Sequence, residues 1–139
     1  MQDKIADLGL ESQKVGLLTS DRFNGKKIIF FNSASLCGYT HQLEELQEIY
    51  KEDLAVPIAI PTNDFGSQEP GDNYEIHQFY NQKYGVEFPI CTKQSIEHDF
   101  FVRFGKPKWN FNKYLFNTKH DFVKQFDSEV SPRQVLGEE

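Results

Sequence analysis

The chain has 139 residues, a length that favours one domain, residues 1–139, built around one hydrophobic core. Its 13 Phe, 6 Tyr and 1 Trp supply large rings that fill a core where aliphatic residues are scarce. The formal charge of −6 and the absence of basic clusters argue against nucleic-acid binding. No apolar run is long enough to cross a membrane, and no signal peptide is expected. Because the chain has only two cysteines, Cys37 and Cys91, we expect a reducing, cytoplasmic compartment rather than a disulfide scaffold.

The first half of the chain predicts two buried strands with a helix between them. Lys26–Phe31 is a short apolar run that indicates a strand buried on both faces. Thr40 is expected to cap a helix whose apolar residues recur every three or four positions. Those residues are Leu43, Leu46, Ile49 and Tyr50. Ala55–Ile60 predicts the second strand, in which Pro57 favours an edge or bulge position.

A second helix and a short extended segment follow. Asp72 and Glu75 have the spacing of a capping box, which predicts a helix N-terminus. The apolar face of this helix is expected to contain Ile76, Phe79, Tyr80 and Tyr84. Val86–Ile90 is typical of a short extended segment.

The last part of the chain predicts a β-hairpin and a short helix. Phe111–Phe116 and Phe122–Phe126 alternate in polarity on either side of a polar turn. Ser131 and Pro132 have the residue types of an N-cap and a first helical position. The whole order of elements predicts an α/β domain with a mixed central sheet flanked by helices.

Cys37 is the residue of greatest chemical interest. It lies in a loop of small residues between the first strand and the helix that follows. A thiol near a helix N-terminus lies close to unpaired amide donors, which favour the nucleophilic thiolate. Free cysteine is also a common small core residue, so position alone leaves both interpretations open.

Four segments in chain order resemble motifs of the glutathione peroxidase family, in the non-selenium form that carries cysteine in place of selenocysteine. They are Ala34–Thr40, Pro61–Gly71, Tyr84–Pro89 and Lys108–Leu115, within a region from about Gly25 to Phe126. Any one of these segments is a weak signal, whereas four in the same order are a strong one. The resemblance implies a thioredoxin-like fold and a catalytic set consisting of Cys37, Gln68, Trp109 and Asn110.

The implied activity is thiol-dependent reduction of hydrogen peroxide or of organic and lipid hydroperoxides, through a sulfenic acid at Cys37. Gln68, Trp109 and Asn110 carry neutral N–H donors, which stabilise a thiolate and a developing oxyanion without titrating. Taken alone, Gln68 would be an exposed loop residue and Trp109 a core aromatic. No cofactor is implied, because the co-substrate is a thiol, glutathione or a thioredoxin-like reductant.

The chain departs from the family pattern in several places. Thr62 stands where the family usually has cysteine, and Tyr80 stands where thioredoxin-dependent members carry their resolving cysteine. Cys91 is expected to be a packing residue rather than a resolving one. The segment between Lys93 and Pro107 is shorter than usual and lacks the loop of tetrameric members, so we expect a monomer. Both terminal regions look abbreviated.

Two other functions remain open at this point. One is a thiol–disulfide oxidoreductase, although Thr40 occupies the place of the second cysteine of a C-x-x-C motif. The other is a peroxide sensor or binding protein of the same fold that does not turn over. We expect no metal site, because the scattered histidines form no ligand spacing with each other or with cysteine. They are His41, His77, His98 and His120, of which His41 is expected to face solvent.

Overall fold

The computed structural model describes residues 2–137. The strands are β1 (Glu11–Ser12), β2 (Gly16–Leu17), β3 (Ile28–Ser33), β4 (Val56–Pro61), β5 (Lys113–Phe116) and β6 (Phe122–Phe126). The α-helices are α1 (Gln42–Lys51), α2 (Asn73–Tyr84), α3 (Asp99–Phe104) and α4 (Pro132–Leu136). Two 3₁₀ turns lie in the N-terminal region, at Ala6–Leu8 and Ser20–Phe23. None of the helices in residues 2–137 is long and apolar enough to cross a bilayer.

The central sheet has four strands in the order β4-β3-β5-β6. The β3–β4 pair is parallel and the other two pairs are antiparallel, which confirms the predicted mixed sheet and the predicted C-terminal hairpin. Pro57 lies in β4 at one edge of this sheet, as its missing N–H requires. The expected extended segment before Cys91 adds only a bridge to that edge, between Ile90 and Ala59. β1 and β2 form a separate two-stranded hairpin.

Side chains of the central strands alternate between the two faces of the sheet, because a strand has a period of two residues. Phe31 packs into a core that we call the Leu46 core, and Phe30 packs into a core on the other face that we call the Phe100 core. Helices α1, α2 and α4 supply the Leu46 core with Leu43, Leu46, Ile49, Ile76, Tyr80 and Val135. The N-terminal region and α3 supply the Phe100 core with Ile5, Leu8, Leu10, Leu18, Phe23, Phe100 and Phe101. Helices therefore flank the sheet, as predicted, and α3 adds a helix on the second face.

Helix α3 is not predicted by the sequence pattern, because six residues are too few to show a helical period. Its stability comes from tertiary contacts rather than from helix propensity. The Phe100 ring is fully buried, with its centroid 4.9 Å from that of Phe30 and 5.1 Å from that of Tyr114. His98 caps the helix, its Nδ1 accepting from the Phe100 amide at 3.0 Å.

Local capping chemistry agrees with the sequence at two helices. Asp72 and Glu75 form the predicted capping box of α2, with bonds of 2.8 and 3.0 Å. Ser131 is the N-cap of α4 and Pro132 its first residue, as predicted, and Gln134 completes a second capping box. The apolar positions predicted for α1 are buried at Leu43, Leu46 and Ile49, while Tyr50 is partly buried.

Candidate active site

The carboxyl end of β3 holds the segment of residues 109–112 through Asn32, which is fully buried. The Asn32 Nδ2 donates to the Trp109 carbonyl at 3.0 Å, and its Oδ1 accepts from the Asn112 amide at 2.9 Å. The Asn32 carbonyl accepts from the Phe111 amide at 2.7 Å. These bonds place Trp109 and Asn110 beside the strand end from which the Cys37 loop departs. Sequence reasoning assigned no role to Asn32, although a polar residue ending an apolar strand was a usable signal.

The Cys37 loop is closed by Thr40, which does not cap α1 as predicted. The helix begins at Gln42, and His41 at its N-cap makes no side-chain cap bond. The Thr40 hydroxyl instead accepts from the Cys37 amide at 2.9 Å and donates to the Ala34 carbonyl at 2.8 Å. Its hydroxyl is therefore committed to the loop and is not available to the helix.

The Gln68 segment, residues 66–71, lies next to the Cys37 loop, residues 34–40. The Leu36 amide donates to the Gln68 carbonyl at 3.0 Å, so the residue before Cys37 is bonded to the Gln68 backbone. Gly66 and Ser67 both have left-handed backbones, with φ of 63° and 51°. A Cβ at Gly66 would lie 3.4 Å from both the Gln68 side chain and the Trp109 ring, so these two side chains close around the same turn.

Gln68 and Asn110 are 42 positions apart in the sequence and bonded in the structure. The Asn110 Nδ2 donates to the Gln68 Oε1 at 3.0 Å, which leaves the Gln68 Nε2 free to donate elsewhere. Asn110 is fully buried, and its Oδ1 has no partner among the described residues. Trp109 is 37% exposed and its ring packs on Phe65, with centroids 5.5 Å apart. It is therefore a surface aromatic beside the amide pair, not a core residue.

Cys37 itself is 9% exposed, at the border of the Leu46 core. Its sulfur accepts a hydrogen bond from the Tyr39 amide at 3.4 Å. Within residues 2–137 none of the Gln68, Trp109 and Asn110 side chains hydrogen-bonds the sulfur in this resting state. The assignment of these residues to one catalytic set therefore stays a prediction. His41 is exposed, as expected, and its Nδ1 is 2.9 Å from the Gly38 carbonyl.

Comparison with known proteins identifies the family. The family model described as glutathione peroxidase matches residues 5–101. The chain is 35% identical over 137 residues to the glutathione peroxidase-like peroxiredoxin GPX3 of Candida albicans, covering 84% of this chain and 80% of the relative. It is 33% identical over 151 residues to the glutathione peroxidase homolog BsaA of Staphylococcus aureus, covering 96% and 94%. The chain belongs to the glutathione peroxidase family.

Membership of the glutathione peroxidase family makes the chain an oxidoreductase of the peroxidase class, as the resemblance implied. The thioredoxin-like fold is confirmed independently by solved structures. A thioredoxin-like protein from Aeropyrum pernix superposes with a TM-score of 0.68 at 14% identity, covering 93% of this chain and 83% of that one. At that identity the likeness concerns the fold alone.

The buried side chain of Lys113 supports the backbone of the candidate site. Lys113 is fully buried, and its Nζ donates to the carbonyls of Ser128 at 2.8 Å and Val130 at 2.6 Å. The Ser128 hydroxyl in turn donates to the Asn110 carbonyl. Lys113 therefore fixes the segment on which the Asn110 backbone rests. Sequence reasoning missed it, although a lysine within an apolar strand pattern was a signal.

We predict that Lys113 makes the free energy of unfolding depend on pH. Burial lowers the pKa of Lys113 to about 7, against the smaller opposing effects of Glu45 and Glu129. Between about pH 7 and pH 10 the folded side chain is neutral while the unfolded one is protonated, so the unfolded state binds more protons and the stability rises with pH. The rise is at most about 1.4 kcal/mol per pH unit. Below about pH 7 both states are protonated, so this group no longer changes the stability with pH. The folded state then bears the full free-energy cost of burying the charged amine.

Urea unfolding of the wild type and of Lys113→Met between pH 6 and pH 10 checks this prediction. The substitution removes the titrating amine and keeps a long side chain of similar volume. We expect the difference in unfolding free energy, wild type minus variant, to increase above neutral pH and to be flat below it. A difference that stays constant over the whole range would contradict the lowered pKa.

The second cysteine lies on the other face of the sheet. Cys91 is fully buried in the Phe100 core, whereas Cys37 borders the Leu46 core. Its amide donates to the Ala59 carbonyl at 2.8 Å, which fixes its backbone at the edge of β4. Burial raises the pKa of the Cys91 thiol, so the thiolate is disfavoured. Both features fit a packing role, and the central sheet separates the two sulfurs.

Proposed function

We propose that this protein is a thiol-dependent peroxidase that reduces hydrogen peroxide or organic and lipid hydroperoxides at Cys37, with Gln68, Trp109 and Asn110 as its other catalytic residues. The observation that carries the proposal is the Gln68–Asn110 amide pair, hydrogen-bonded at 3.0 Å beside the loop that carries Cys37. Amides and an indole present N–H groups that do not titrate near neutral pH. Such donors suit a reaction in which negative charge moves from sulfur to a departing oxygen.

The chemistry of the first step balances without a cofactor. The Cys37 thiolate attacks the distal oxygen of the hydroperoxide, an S–O bond forms and the O–O bond breaks. The leaving alkoxide, or hydroxide from hydrogen peroxide, takes a proton and departs as the alcohol or water. Sulfur is oxidised by two electrons to the sulfenic acid, and the peroxide is reduced by the same two. The Gln68 Nε2, which is not used in the bond to Asn110, is the donor we assign to the departing oxygen.

We further propose that an external thiol resets the enzyme. A first thiol attacks the Cys37 sulfenic acid, giving a mixed disulfide and water, and a second thiol releases Cys37 as the free thiol with formation of an external disulfide. Glutathione is the simplest reductant and a thioredoxin-like protein is the other candidate. Tyr80 offers no thiol, and Cys91 lies across the sheet, so neither supplies an internal resolving sulfur.

We predict that oxidation does not produce a Cys37–Cys91 disulfide. A disulfide requires Cα atoms within about 7 Å and facing Cβ vectors. Cys37 and Cys91 instead pack into cores on opposite faces of the sheet. One equivalent of peroxide, followed by alkylation and peptide mapping by mass spectrometry, is expected to show a sulfenic acid or its trapped adduct at Cys37. Cys91 should be recovered as the free thiol, alkylated only after unfolding. A dominant crosslinked peptide containing both cysteines would overturn the one-cysteine cycle.

We propose that residues 1–139 act as one domain, as a monomer and in the cytoplasm. Two buried, unpaired cysteines are typical of a reducing compartment. The resemblance supports the monomer, because the segment between Lys93 and Pro107 is shorter than in the family pattern and leaves no room for the loop of tetrameric members.

The alternatives left open by the sequence fit the geometry less well. A thiol–disulfide oxidoreductase needs a second thiol beside Cys37, but Thr40 fills that position and its hydroxyl bonds the Cys37 amide. Within the described residues the other cysteine lies in the opposite core. A sensor that does not turn over differs from a peroxidase in one measurable respect, which is the number of peroxide molecules consumed per protein.

A peroxide-consumption assay with excess reductant tests the proposed function. Hydrogen peroxide and an organic hydroperoxide are each supplied with glutathione in one series and with thioredoxin and its reductase in another. We expect many turnovers per enzyme with at least one reductant. Consumption that stops after one peroxide per protein in every series would favour the sensor. Disulfide exchange activity without peroxide consumption would favour the oxidoreductase.

A further inference from the structure

Glu69 follows Gln68 in the chain, and its carboxyl group is buried beneath the site. Among the described residues this side chain has no ion-pair partner. Glu69 is fully buried. Its Oε1 accepts from the hydroxyl of Ser35 and its Oε2 accepts from the hydroxyl of Tyr80. Burial raises the pKa of this carboxyl, against the opposing hydrogen bonds from Ser35 and Tyr80 and the nearby charge of Lys93. A buried carboxyl group is costly unless it is hydrogen-bonded, and here each oxygen has its own hydroxyl donor.

Three parts of the fold meet at this carboxyl group. Ser35 belongs to the loop that carries Cys37, and Glu69 belongs to the Gln68 segment. Tyr80 is a fully buried residue of α2, and its hydroxyl is also hydrogen-bonded to the Ser33 hydroxyl at the end of β3, at 2.7 Å. The cluster therefore joins the Cys37 loop, the Gln68 segment and the helix and strand beneath them.

The Gln68 segment is also fixed from its other side. The Lys93 Nζ donates to the Gly71 carbonyl at 2.7 Å and to the Glu69 carbonyl at 3.2 Å. The Asn63 Oδ1 accepts from the Glu69 amide at 2.9 Å. Glu69 is consequently immobilised in backbone and side chain, and its carboxyl group is a rigid acceptor for the Ser35 hydroxyl.

We propose that Glu69, braced by Tyr80, is a positioning residue that holds the Cys37 loop in register with Gln68. The inference rests on the proposed function, since the register matters only if Cys37 and Gln68 act on the same peroxide. The backbone bond between the two segments, from the Leu36 amide to the Gln68 carbonyl, lies beside the Ser35–Glu69 bond. Loss of the Glu69 cluster would leave that backbone bond to set the register without side-chain support.

Tyr80 gives this position a role other than that of a thiol. By the resemblance it stands where thioredoxin-dependent members carry their resolving cysteine, and here its hydroxyl hydrogen-bonds the buried carboxyl group of Glu69. The Tyr80 side chain thus supports the loop on which Cys37 lies, through Glu69 and Ser35.

Tyr80→Phe, which removes only the hydroxyl group, tests the proposal, with Tyr114→Phe as the matched control. Tyr114 is also fully buried and its hydroxyl donates to the Gly105 carbonyl at 2.6 Å, but it lies in the Phe100 core away from Cys37. The first readout is the hydrogen-exchange rate of the Leu36 amide, measured under conditions in which the wild type and the variants have the same free energy of unfolding. We expect exchange about 10-fold to 100-fold faster in Tyr80→Phe and unchanged in Tyr114→Phe. Without the Tyr80 hydroxyl, the buried Glu69 Oε2 loses its donor, and the brace on the Ser35–Glu69 bond weakens.

The second readout compares two reactions of Cys37. Alkylation by iodoacetamide needs only an accessible thiolate, whereas peroxide reduction also needs the donors in register. We expect the ratio of the peroxide rate constant to the alkylation rate constant to fall about tenfold or more in Tyr80→Phe. Ser35→Ala should have the same effect and Ser35→Thr, which keeps a hydroxyl group, should restore the ratio. This pair tests the proposal even if Tyr80→Phe does not fold.

The outcomes separate this inference from the proposed function. Suppose that the wild type consumes peroxide. Unchanged Leu36 exchange in Tyr80→Phe and in Ser35→Ala, or an unchanged rate ratio in these two variants, would then overturn the positioning role and leave the peroxidase intact. A wild type that consumes no peroxide would overturn the proposed function, and Leu36 exchange alone would then decide whether the Glu69 cluster holds the loop.

Discussion

Cys37→Ser is expected to abolish peroxide consumption while the protein remains folded. A serine hydroxyl is not ionised near neutral pH, so it is a poor nucleophile toward the peroxide. Its oxygen also forms no accessible product that corresponds to the sulfenic acid. Serine differs from cysteine by one atom and Cys37 lies at the border of the Leu46 core, so the change in packing is small. The measurement is the rate of peroxide loss with excess thiol, beside the thermal unfolding midpoint of the same sample.

Cys91→Ala is the matched control for this experiment. Cys91 is fully buried in the Phe100 core, and alanine leaves a small cavity without a buried hydroxyl group. We expect a modest loss of stability and a peroxide rate close to that of the wild type. Wild-type turnover in Cys37→Ser would remove the central residue of the proposed site, and loss of turnover in folded Cys91→Ala would restore a two-cysteine cycle.

The sequence predicted those parts of the fold that depend on local chemistry. Alternation of apolar residues predicted the β5–β6 hairpin, and the spacing of Asp72 and Glu75 predicted the start of α2. Helix α3 was missed because it is formed by the packing of Phe100 among rings from distant strands. The cap assigned to Thr40 was wrong because a local rule does not reveal that its hydroxyl is already bonded to the Cys37 loop.

The candidate site shows the same division between local and distant information. Position in the chain singled out Cys37 as a candidate, whereas Gln68, Trp109 and Asn110 came from the resemblance, since no spacing rule brings Gln68 and Asn110 together across 42 positions. The buried carboxyl group of Glu69 and the amine of Lys113 were not predicted as supports. Each is satisfied by groups from remote segments, such as the hydroxyl of Tyr80 and the carbonyl of Val130, and only the folded chain shows those partners.

The amide pair is expected to contribute to the rate through the transition state rather than through the resting enzyme. In the described structure Gln68 and Asn110 bond each other and not the Cys37 sulfur. Catalytic hydrogen bonds often tighten only when the substrate is bound, and a peroxide oxygen would lie between the sulfur and these donors. Truncation of either amide should therefore lower the rate of peroxide reduction far more than the rate of thiol alkylation.

Gln68→Ala and Asn110→Ala are each expected to slow reduction of peroxide by about 100-fold to 1,000-fold, the usual effect of removing one oxyanion donor. Because the Asn110 Nδ2 orients Gln68 through its Oε1, the double variant should be slowed much less than the product of the two single effects. Asn81→Ala is the matched control. Asn81 lies on α2, and its side-chain Nδ2 donates to the Val86 carbonyl at 3.3 Å. Stopped-flow oxidation of the reduced protein provides the rate constants. Single variants that oxidise as fast as Asn81→Ala, or fully multiplicative effects in the double variant, would show that the pair does not act as one donor unit at Cys37.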